Sequence, residues 1–253
     1  QMKIVLVGAG GSGISNLAYI LQELWYDNLL AIDGFESQIT QALEKNGIKT
    51  LIGHWQYQIK PDDIVIYSEA VVNSPEVQSA FQLKLTNQQP LKIRNYFQFL
   101  GEMSKYFRTV GFSGTNGKSS SSALAITTAK KLIPQLGIGI VWALIPDFDS
   151  KSYYLNQEKK SEFRLLFDAI FTGRQVPYHL IKQRYFFLEA CEYKRHFLNL
   201  DLEKLAITNI ELDHTDYYQD LEDYTSAYLQ MTDKTSHEVF VLKNLEQEAI
   251  LSN

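Results

Sequence analysis

A glycine-rich segment near the middle of the chain contains the residue types that hold a nucleotide phosphate. It reads Ser113-Gly114-Thr115-Asn116-Gly117-Lys118-Ser119-Ser120 and lies between a strand-like run and a helix-like run. In such a segment the backbone cradles phosphates, Lys118 neutralises the β and γ oxygens, and the Ser119 hydroxyl ligates Mg²⁺. The general phosphate-loop pattern has a glycine where this chain has Phe112. The segment therefore predicts an ATP site, with a serine-rich helix cap as the alternative.

A second glycine-rich segment lies near the N-terminus and is typical of a diphosphate-binding loop. Gly8-Ala9-Gly10-Gly11-Ser12-Gly13 follows the apolar run Ile4–Val7 and precedes a helix-like segment. Its glycines permit a tight turn and let backbone N–H groups approach a diphosphate at the start of the helix. Asp33 follows the second apolar run, where an acid accepts hydrogen bonds from a ribose hydroxyl. The default ligand of this pattern is a dinucleotide, and a turn needed only for packing is the alternative.

Carboxylate and imidazole side chains follow two further strand-like runs. Glu189 and Glu192 come after the first run, and His214 comes after the second. Open α/β sheets bind ligands at the carboxyl ends of their strands, where a carboxylate and an imidazole beside a phosphate loop can hold Mg²⁺ against ATP. The alternatives are a solvated, salt-bridged turn for Glu192, Lys194 and Arg195, and a capping or packing role for His214.

The elements that must position these residues follow from short apolar runs that alternate with helix-length segments. Strands are expected at residues 4–7, 29–32, 64–67, 109–112, 185–188 and 205–208, and helices at 14–24, 38–46, 75–83, 119–132 and 222–231. The alternation predicts an α/β fold with parallel sheets and right-handed crossovers. We expect an N-terminal Rossmann-like domain over residues 1–107 and a P-loop-type α/β ATPase domain over residues 108–253. Residues 147–183 are polar and aromatic-rich, and they predict either a loop over the substrate or a surface insertion.

The composition narrows the class of protein. The sequence has 24 basic and 29 acidic residues, which argues against a broad nucleic-acid surface. Its single cysteine, Cys191, excludes an intrachain disulfide and fits a reducing, cytoplasmic location. The longest apolar stretch, near residues 136–146, is shorter than the ~20 residues of a membrane-spanning helix, so we expect no membrane partner. The oligomeric state is not indicated.

Taken in order, these motifs resemble the Mur ligases of bacterial cell-wall synthesis. The run Gly-Thr-Asn-Gly-Lys-Ser at 114–119 looks like the phosphate loop that Mur ligases share with folylpolyglutamate synthases, and the preceding Rossmann-like domain resembles the Mur branch. Residues 187–198 and 208–216 are similar to signatures of the alanine-adding branch. Gly53-His54 and Ser68-Glu69-Ala70-Val71 resemble two further motifs of the family, although Glu69 replaces a serine.

The resemblance implies roles for individual residues. ATP binding is carried over to Gly114, Thr115, Asn116, Gly117, Lys118, Ser119 and Ser120. UDP-sugar binding is carried over to Gly10, Gly11, Ser12, Gly13, Asp33, His54 and Ser68. Magnesium binding is carried over to Ser119, Glu189 and His214, and catalytic roles to Lys118, Glu189 and His214.

The resemblance also implies a reaction. It indicates an ATP-dependent ligase that joins UDP-N-acetylmuramate to L-alanine through an acyl phosphate, with ATP and Mg²⁺ as cofactors, in peptidoglycan precursor synthesis. A sister ligase that attaches a recycled peptide, a nucleotide-dependent oxidoreductase and a non-catalytic nucleotide-binding module are the alternatives. Mur ligases carry a third domain that closes over ATP, and this sequence stops at Asn253, near where that domain begins. We therefore expect the chain to bind nucleotides but to turn over poorly or not at all.

Overall fold

The computed structural model describes residues 2–86, 92–145 and 151–242, and it divides the chain into two compact units. Unit 1 consists of Gln1–Phe99 with Glu158–Gln175, and unit 2 consists of Leu100–Gln157 with Val176–Asn253. Each unit contains its own sheet, and most strand pairs are parallel. The α/β fold class expected from the sequence is therefore confirmed.

Strands and helices alternate along most of the chain. In order they are β1 (Ile4–Val7), α1 (Ser12–Glu23), β2 (Leu29–Asp33), α2 (Gln38–Lys45), β3 (Lys49–Ile52), β4 (Ile64–Tyr67), α3 (Pro75–Thr86), β5 (Lys92–Asn95), α4 (Tyr96–Ser104), β6 (Arg108–Ser113), α5 (Lys118–Leu132), β7 (Leu136–Ile145), β8 (Lys151–Leu155), α6 (Lys160–Thr172), β9 (Tyr185–Glu189), β10 (Lys204–Ile207), α7 (Leu221–Lys234) and β11 (Glu238–Val241). Every strand and helix expected from the sequence is present, with its ends within three residues of the expected positions.

The sheet of unit 1 is fully parallel and has the strand order β3-β2-β1-β4-β5. All four residues of β1 and of β4 are buried, which explains their continuous apolar sequences, because helices cover both faces of such sheets. The chain leaves β1 towards β2 on one side and continues at β4 on the other. This reversal of strand order creates a crevice beside the carboxyl end of β1, and the first glycine-rich segment lies there.

The helix α6 corrects our expectation for residues 147–183. Of that stretch, residues 147–150 lie outside the described part, but α6 supplies buried aromatic side chains to unit 1 rather than forming a loop or a surface insertion. Phe167 and Phe171 pack on Phe99 with ring centroids 5.9 Å and 5.6 Å away, and all three side chains are fully buried. Tyr26 donates a hydrogen bond of 2.7 Å to Asp168 from the same helix.

The sheet of unit 2 has six strands in the order β11-β10-β6-β9-β7-β8. Its strands are parallel except for the antiparallel pair β7–β8. β6 lies between β9 and β10, so the segments that follow these three strands leave the sheet at one edge. Among the described residues, no helix is long and apolar enough to cross a membrane.

The aromatic cluster in unit 1 leads to a test of the α6 assignment. Phe167→Ala removes a fully buried ring, and we expect it to lower the free energy of unfolding by about 3–5 kcal/mol. Leu165→Ala is the matched control, because Leu165 lies on the same helix but is half exposed, so a change below about 1 kcal/mol is expected. Urea denaturation followed by circular dichroism measures both. Equal losses for the two variants would contradict the packing of α6 described here.

Candidate functional site

The predicted ATP loop connects β6 to α5 and contains two glycines with positive φ. Gly117 precedes α5 with a φ of 80°, and an added Cβ would meet no atom within 4 Å. Gly114 has a φ of 136°, and an added Cβ would lie 2.0 Å from Thr208 Oγ1. The two positions therefore need glycine for different reasons. Gly117 needs only a left-handed backbone, whereas Gly114 also needs the space that a side chain would occupy.

The loop is braced by the residues that follow β10. Asn209 accepts hydrogen bonds from two loop amides, through its carbonyl from Thr115 at 3.2 Å and through its side chain from Asn116 at 2.8 Å. Thr208 Oγ1 donates to the carbonyl of Asn116 at 2.6 Å. The Thr-Asn pair is therefore a support for the loop, a role that sequence reasoning did not assign. The predicted contact between ATP and Asn116 remains a prediction. The Asn116 amide already donates to Asn209, so any such contact would use other atoms of this residue.

Ser119 and Glu189 are brought together at the start of α5. The Ser119 hydroxyl lies 2.9 Å from both carboxylate oxygens of Glu189, and the Trp142 amide donates to one of them at 3.2 Å. Burial raises the pKa of Glu189, and the hydrogen bonds from Ser119 and Trp142 act in the opposite direction. A hydroxyl and a carboxylate beside a phosphate loop are hard oxygen donors, so the pair fits Mg²⁺ chemically.

Lys118 forms an ion pair with a carboxylate that the predicted site did not include. Its ammonium lies 3.0 Å from Glu192 Oε1 and donates to the carbonyl of Gly114 at 3.0 Å. Glu192 is fully buried, and its Oε2 has no hydrogen-bond partner among the described residues. A solvated turn for Glu192 is therefore wrong. The sequence signal that was available is the position of Glu192 only three residues after Glu189, at the end of a buried strand.

His214 lies beside Glu192, and no contact joins it to Ser119 or Glu189. Its Nε2 is 3.6 Å from Glu192 Oε1, and its ring packs on Tyr193 with a centroid distance of 4.5 Å. Its φ of 54° is left-handed, which is uncommon for a residue with a side chain. Within the described ranges, no group of three or more carboxylate, imidazole or thiol side chains is arranged to hold a metal ion. The shared magnesium site of Ser119, Glu189 and His214 therefore stays a prediction.

Tyr224 on α7 joins the loop to Glu192. Its hydroxyl lies 2.9 Å from Thr115 Oγ1 and 3.4 Å from Glu192 Oε1, and burial raises the pKa of the phenol to about 12. The Thr115 hydroxyl also donates to the carbonyl of Glu211 at 2.7 Å. The sequence did not indicate this role, because a tyrosine on the apolar side of an amphipathic helix is usually a core residue.

In unit 1, Asp33 braces the first glycine-rich segment. Its Oδ2 accepts a hydrogen bond of 2.7 Å from the amide of Gly10, and its Oδ1 accepts one of 3.1 Å from the amide of Phe35. Gly11 and Ser12 are exposed at the start of α1, and no side chain caps this helix. Gly13 packs against the ring of Tyr96, which an added Cβ would approach to 2.8 Å. Asp33 therefore holds the loop, and its contact with a ribose remains a prediction.

His54 and Ser68 lie at the same edge of the sheet, after β3 and β4. The ring of His54 approaches Gly34, and its Nδ1 lies 3.0 Å from Glu76 Oε2. Glu76 is buried and also accepts a hydrogen bond from the amide of Trp55 at 2.8 Å, so it orients the segment that carries His54. Sequence reasoning missed Glu76, because an acid in the first turn of a helix ordinarily serves the helix dipole.

The two loop glycines provide a test of the described geometry. Gly114→Ala is expected to lower the free energy of unfolding of unit 2 by about 3 kcal/mol or more, because backbone strain adds to a steric clash with Thr208. Gly117→Ala carries only the left-handed strain, for which we expect about 1–2 kcal/mol. Urea denaturation followed by circular dichroism separates the two values. An equal or smaller loss for Gly114→Ala would show that the loop is not held against Thr208.

With this geometry established, comparison with known proteins shows the fold. No protein-family model matches the chain. The chain is similar to the solved structure of UDP-N-acetylmuramate:L-alanyl-gamma-D-glutamyl-meso-diaminopimelate ligase (MPL) from Neisseria meningitides, with a TM-score of 0.73 and 18% identity over 100% of this chain and 75% of that chain. It is also similar to a pseudomurein peptide ligase type C from Methanothermus fervidus, with a TM-score of 0.50 and 18% identity over 94% of this chain and 44% of that chain. The chain therefore has the fold of these ligases.

Proposed function

We propose that this chain is part of an ATP-dependent Mur-type ligase that forms an amide bond on UDP-N-acetylmuramate. The observation that carries the proposal is the set of contacts around the second glycine-rich loop, where Lys118 meets Glu192 and Ser119 meets Glu189. A redox enzyme that uses the first glycine-rich segment has no use for this second site. The shared fold with two amide-forming ligases supports the same reaction class.

The ATP site of the proposal consists of the loop from Gly114 to Ser120. Lys118 and the start of α5 present positive charge to the nucleotide phosphates, because the helix dipole adds to the ammonium. Ser119 and Glu189 would hold Mg²⁺. When it is bound, this ion neutralises charge on the phosphate oxygens during transfer.

The acceptor site of the proposal lies in unit 1. The start of α1, where Gly11 and Ser12 are exposed and the helix dipole is positive, suits the diphosphate of a UDP-sugar. Asp33 keeps the turn in shape through Gly10, and His54 presents an imidazole whose orientation is set by Glu76. UDP-N-acetylmuramate is therefore the proposed acceptor, and the cytoplasm is the proposed compartment, since ATP and the UDP-sugar are both nucleotides.

The proposed reaction has two steps. A carboxylate oxygen of the acceptor attacks the γ-phosphorus of ATP, the bond to ADP breaks, and an acyl phosphate forms. The amine of the second substrate then attacks the acyl carbon, inorganic phosphate leaves, and one proton is released as the amide forms. Lys118 stabilises negative charge on the transferring phosphoryl group. Electrostatic stabilisation of this kind is usually the largest single contribution to catalysis.

Two amine substrates fit the proposal. L-Alanine is the first candidate, because residues 187–198 and 208–216 resemble the alanine-adding branch. A peptide is the second candidate, because the solved structure with a TM-score of 0.73 is that of a ligase whose name specifies a peptide substrate. Turnover by the protein with each amine would decide between them.

The ATP site is tested by Lys118→Met. We expect this change to weaken the binding of Mg²⁺·ATP at least about tenfold, because the phosphates lose a charge-assisted partner. Lys131→Met is the matched control, since Lys131 lies at the other end of the same helix and is exposed. Isothermal titration calorimetry measures both affinities. Unchanged binding in Lys118→Met would remove the ATP site from the proposal.

The acceptor site is tested by titration with UDP-N-acetylmuramate and, in parallel, with NAD⁺. We expect saturable binding of the sugar nucleotide alone, and Gly11→Phe should abolish it by filling the space above the glycine turn. Lys45→Phe is the control, because Lys45 is an exposed residue in the last turn of α2. Binding of NAD⁺ instead would favour an oxidoreductase, and binding of neither ligand would favour a module without this substrate.

A further inference from the structure

The charges around the ATP loop do not balance. Two buried carboxylates, Glu189 and Glu192, lie at the start of α5, and Lys118 is the only ammonium in contact with either of them among the described residues. The buried Oε2 of Glu192 has no partner within the described part of the chain. Two carboxylates beside one ammonium leave an excess of negative charge at the loop, and a buried carboxylate oxygen without a partner is costly.

The neighbouring charged groups do not correct this excess. Arg195 follows Glu192 closely in sequence, but its guanidinium is paired with Asp223 at 2.6 Å. The exposed acids Glu211 and Asp213 lie on the segment that contacts the loop, so they add to the negative charge. His214 Nε2 lies 3.6 Å from Glu192 Oε1, which is farther than the 3.0 Å between Lys118 and the same oxygen.

This arrangement has a consequence for a polyanionic ligand. Lys118 would normally attract nucleotide phosphates, but Glu192 already neutralises it at 3.0 Å. Phosphates that approach the loop then meet a Lys118–Glu192 pair without net charge and the carboxylate of Glu189, which repels them. A divalent cation bound with the nucleotide reverses this balance, because it brings two positive charges to the side chains that carry the excess.

We propose that Glu192 makes nucleotide binding at this loop depend on a divalent cation, because it neutralises Lys118. The proposal rests on the proposed ATP site and assigns a role that lies outside the predicted magnesium ligands. Glu192 is a positioning residue here, since it acts through Lys118 rather than on the phosphates.

The test compares ATP binding to the chain with Mg²⁺ and with EDTA, in the wild type and in Glu192→Gln. Glutamine keeps the shape of the side chain and removes its charge. We expect Glu192→Gln to raise the affinity for metal-free ATP about tenfold and to reduce the gain in affinity that Mg²⁺ provides by a similar factor. A purely structural role for Glu192 predicts the opposite, because local damage would weaken binding with and without the metal.

Two further variants keep the result interpretable. Glu203→Gln is the matched control, since Glu203 is a buried carboxylate of the same unit, paired with Arg108 at 2.6 Å, and contacts no residue of the loop. It should leave both affinities unchanged. Glu192→Met is the second test variant, because an apolar side chain of similar size is often tolerated in place of a buried ion-pair partner. Like Glu192→Gln, it should raise the affinity for metal-free ATP and reduce the gain in affinity that Mg²⁺ provides.

The outcomes separate this inference from the proposed function. Wild-type protein that binds no nucleotide even with Mg²⁺ would overturn the ATP site itself. Wild-type protein that binds Mg²⁺·ATP, with metal-free binding unchanged or weakened in the folded Glu192 variants, would overturn only the role of Glu192. A rise in metal-free affinity confined to the Glu192 variants would support it.

Discussion

Parallel pairing of β6 with β9 and β10 is the constraint on which the candidate ATP site depends. Strands that run in the same direction end at the same edge of a sheet, so the segments after β6, β9 and β10 must meet there. The first of these segments is the glycine-rich loop, the second carries Glu189 and Glu192, and the third carries Thr208 and Asn209. An antiparallel arrangement would place one of these groups at the opposite edge and leave the loop without its partners.

Burial strengthens the ion pair and the hydrogen bonds at this edge of the sheet. An ion pair between exposed side chains contributes little, because water screens it, whereas Glu192 is fully buried and Lys118 is only 17% exposed. The same burial raises the pKa of Glu189 and makes its hydrogen bonds from Ser119 and Trp142 necessary. Tyr224 and Thr115 extend the network to α7. The charged groups of the site are therefore coupled, so that a change in the charge of one side chain alters the stability of the contacts made by the others.

The sheet of unit 1 uses the same principle with different residues. Its glycine-rich segment lies where the strand order reverses, and Asp33 from the neighbouring strand holds that segment through the amide of Gly10. Glu76 orients His54 from a helix that follows β4. In both units an acid buried or half buried at the sheet edge holds a loop or a side chain. Asp33, which the sequence predicts as a ligand contact, is thus also a support for the loop.

The amino-acid sequence by itself determined the α/β class, the strands and helices that flank both glycine-rich loops, and the positions of Lys118, Ser119 and Glu189 at strand or helix ends. These follow from local patterns of apolar residues and glycines, which act over a few residues. Edge strands such as β3 and β5 were not predicted, because they are short and partly polar. The aromatic helix α6 was not assigned for a different reason, since its core role depends on distant partners.

Only the tertiary structure decided which side chains meet. The pairing of Lys118 with Glu192, and of Ser119 with Glu189, joins residues more than 60 positions apart in the sequence. The burial of Glu192, the support of the loop by Asn209 and the bracing of Gly10 by Asp33 likewise depend on strand order. The physical reason is that hydrogen bonds and ion pairs act over a few ångströms of space, and sheet topology, rather than local sequence, sets those distances.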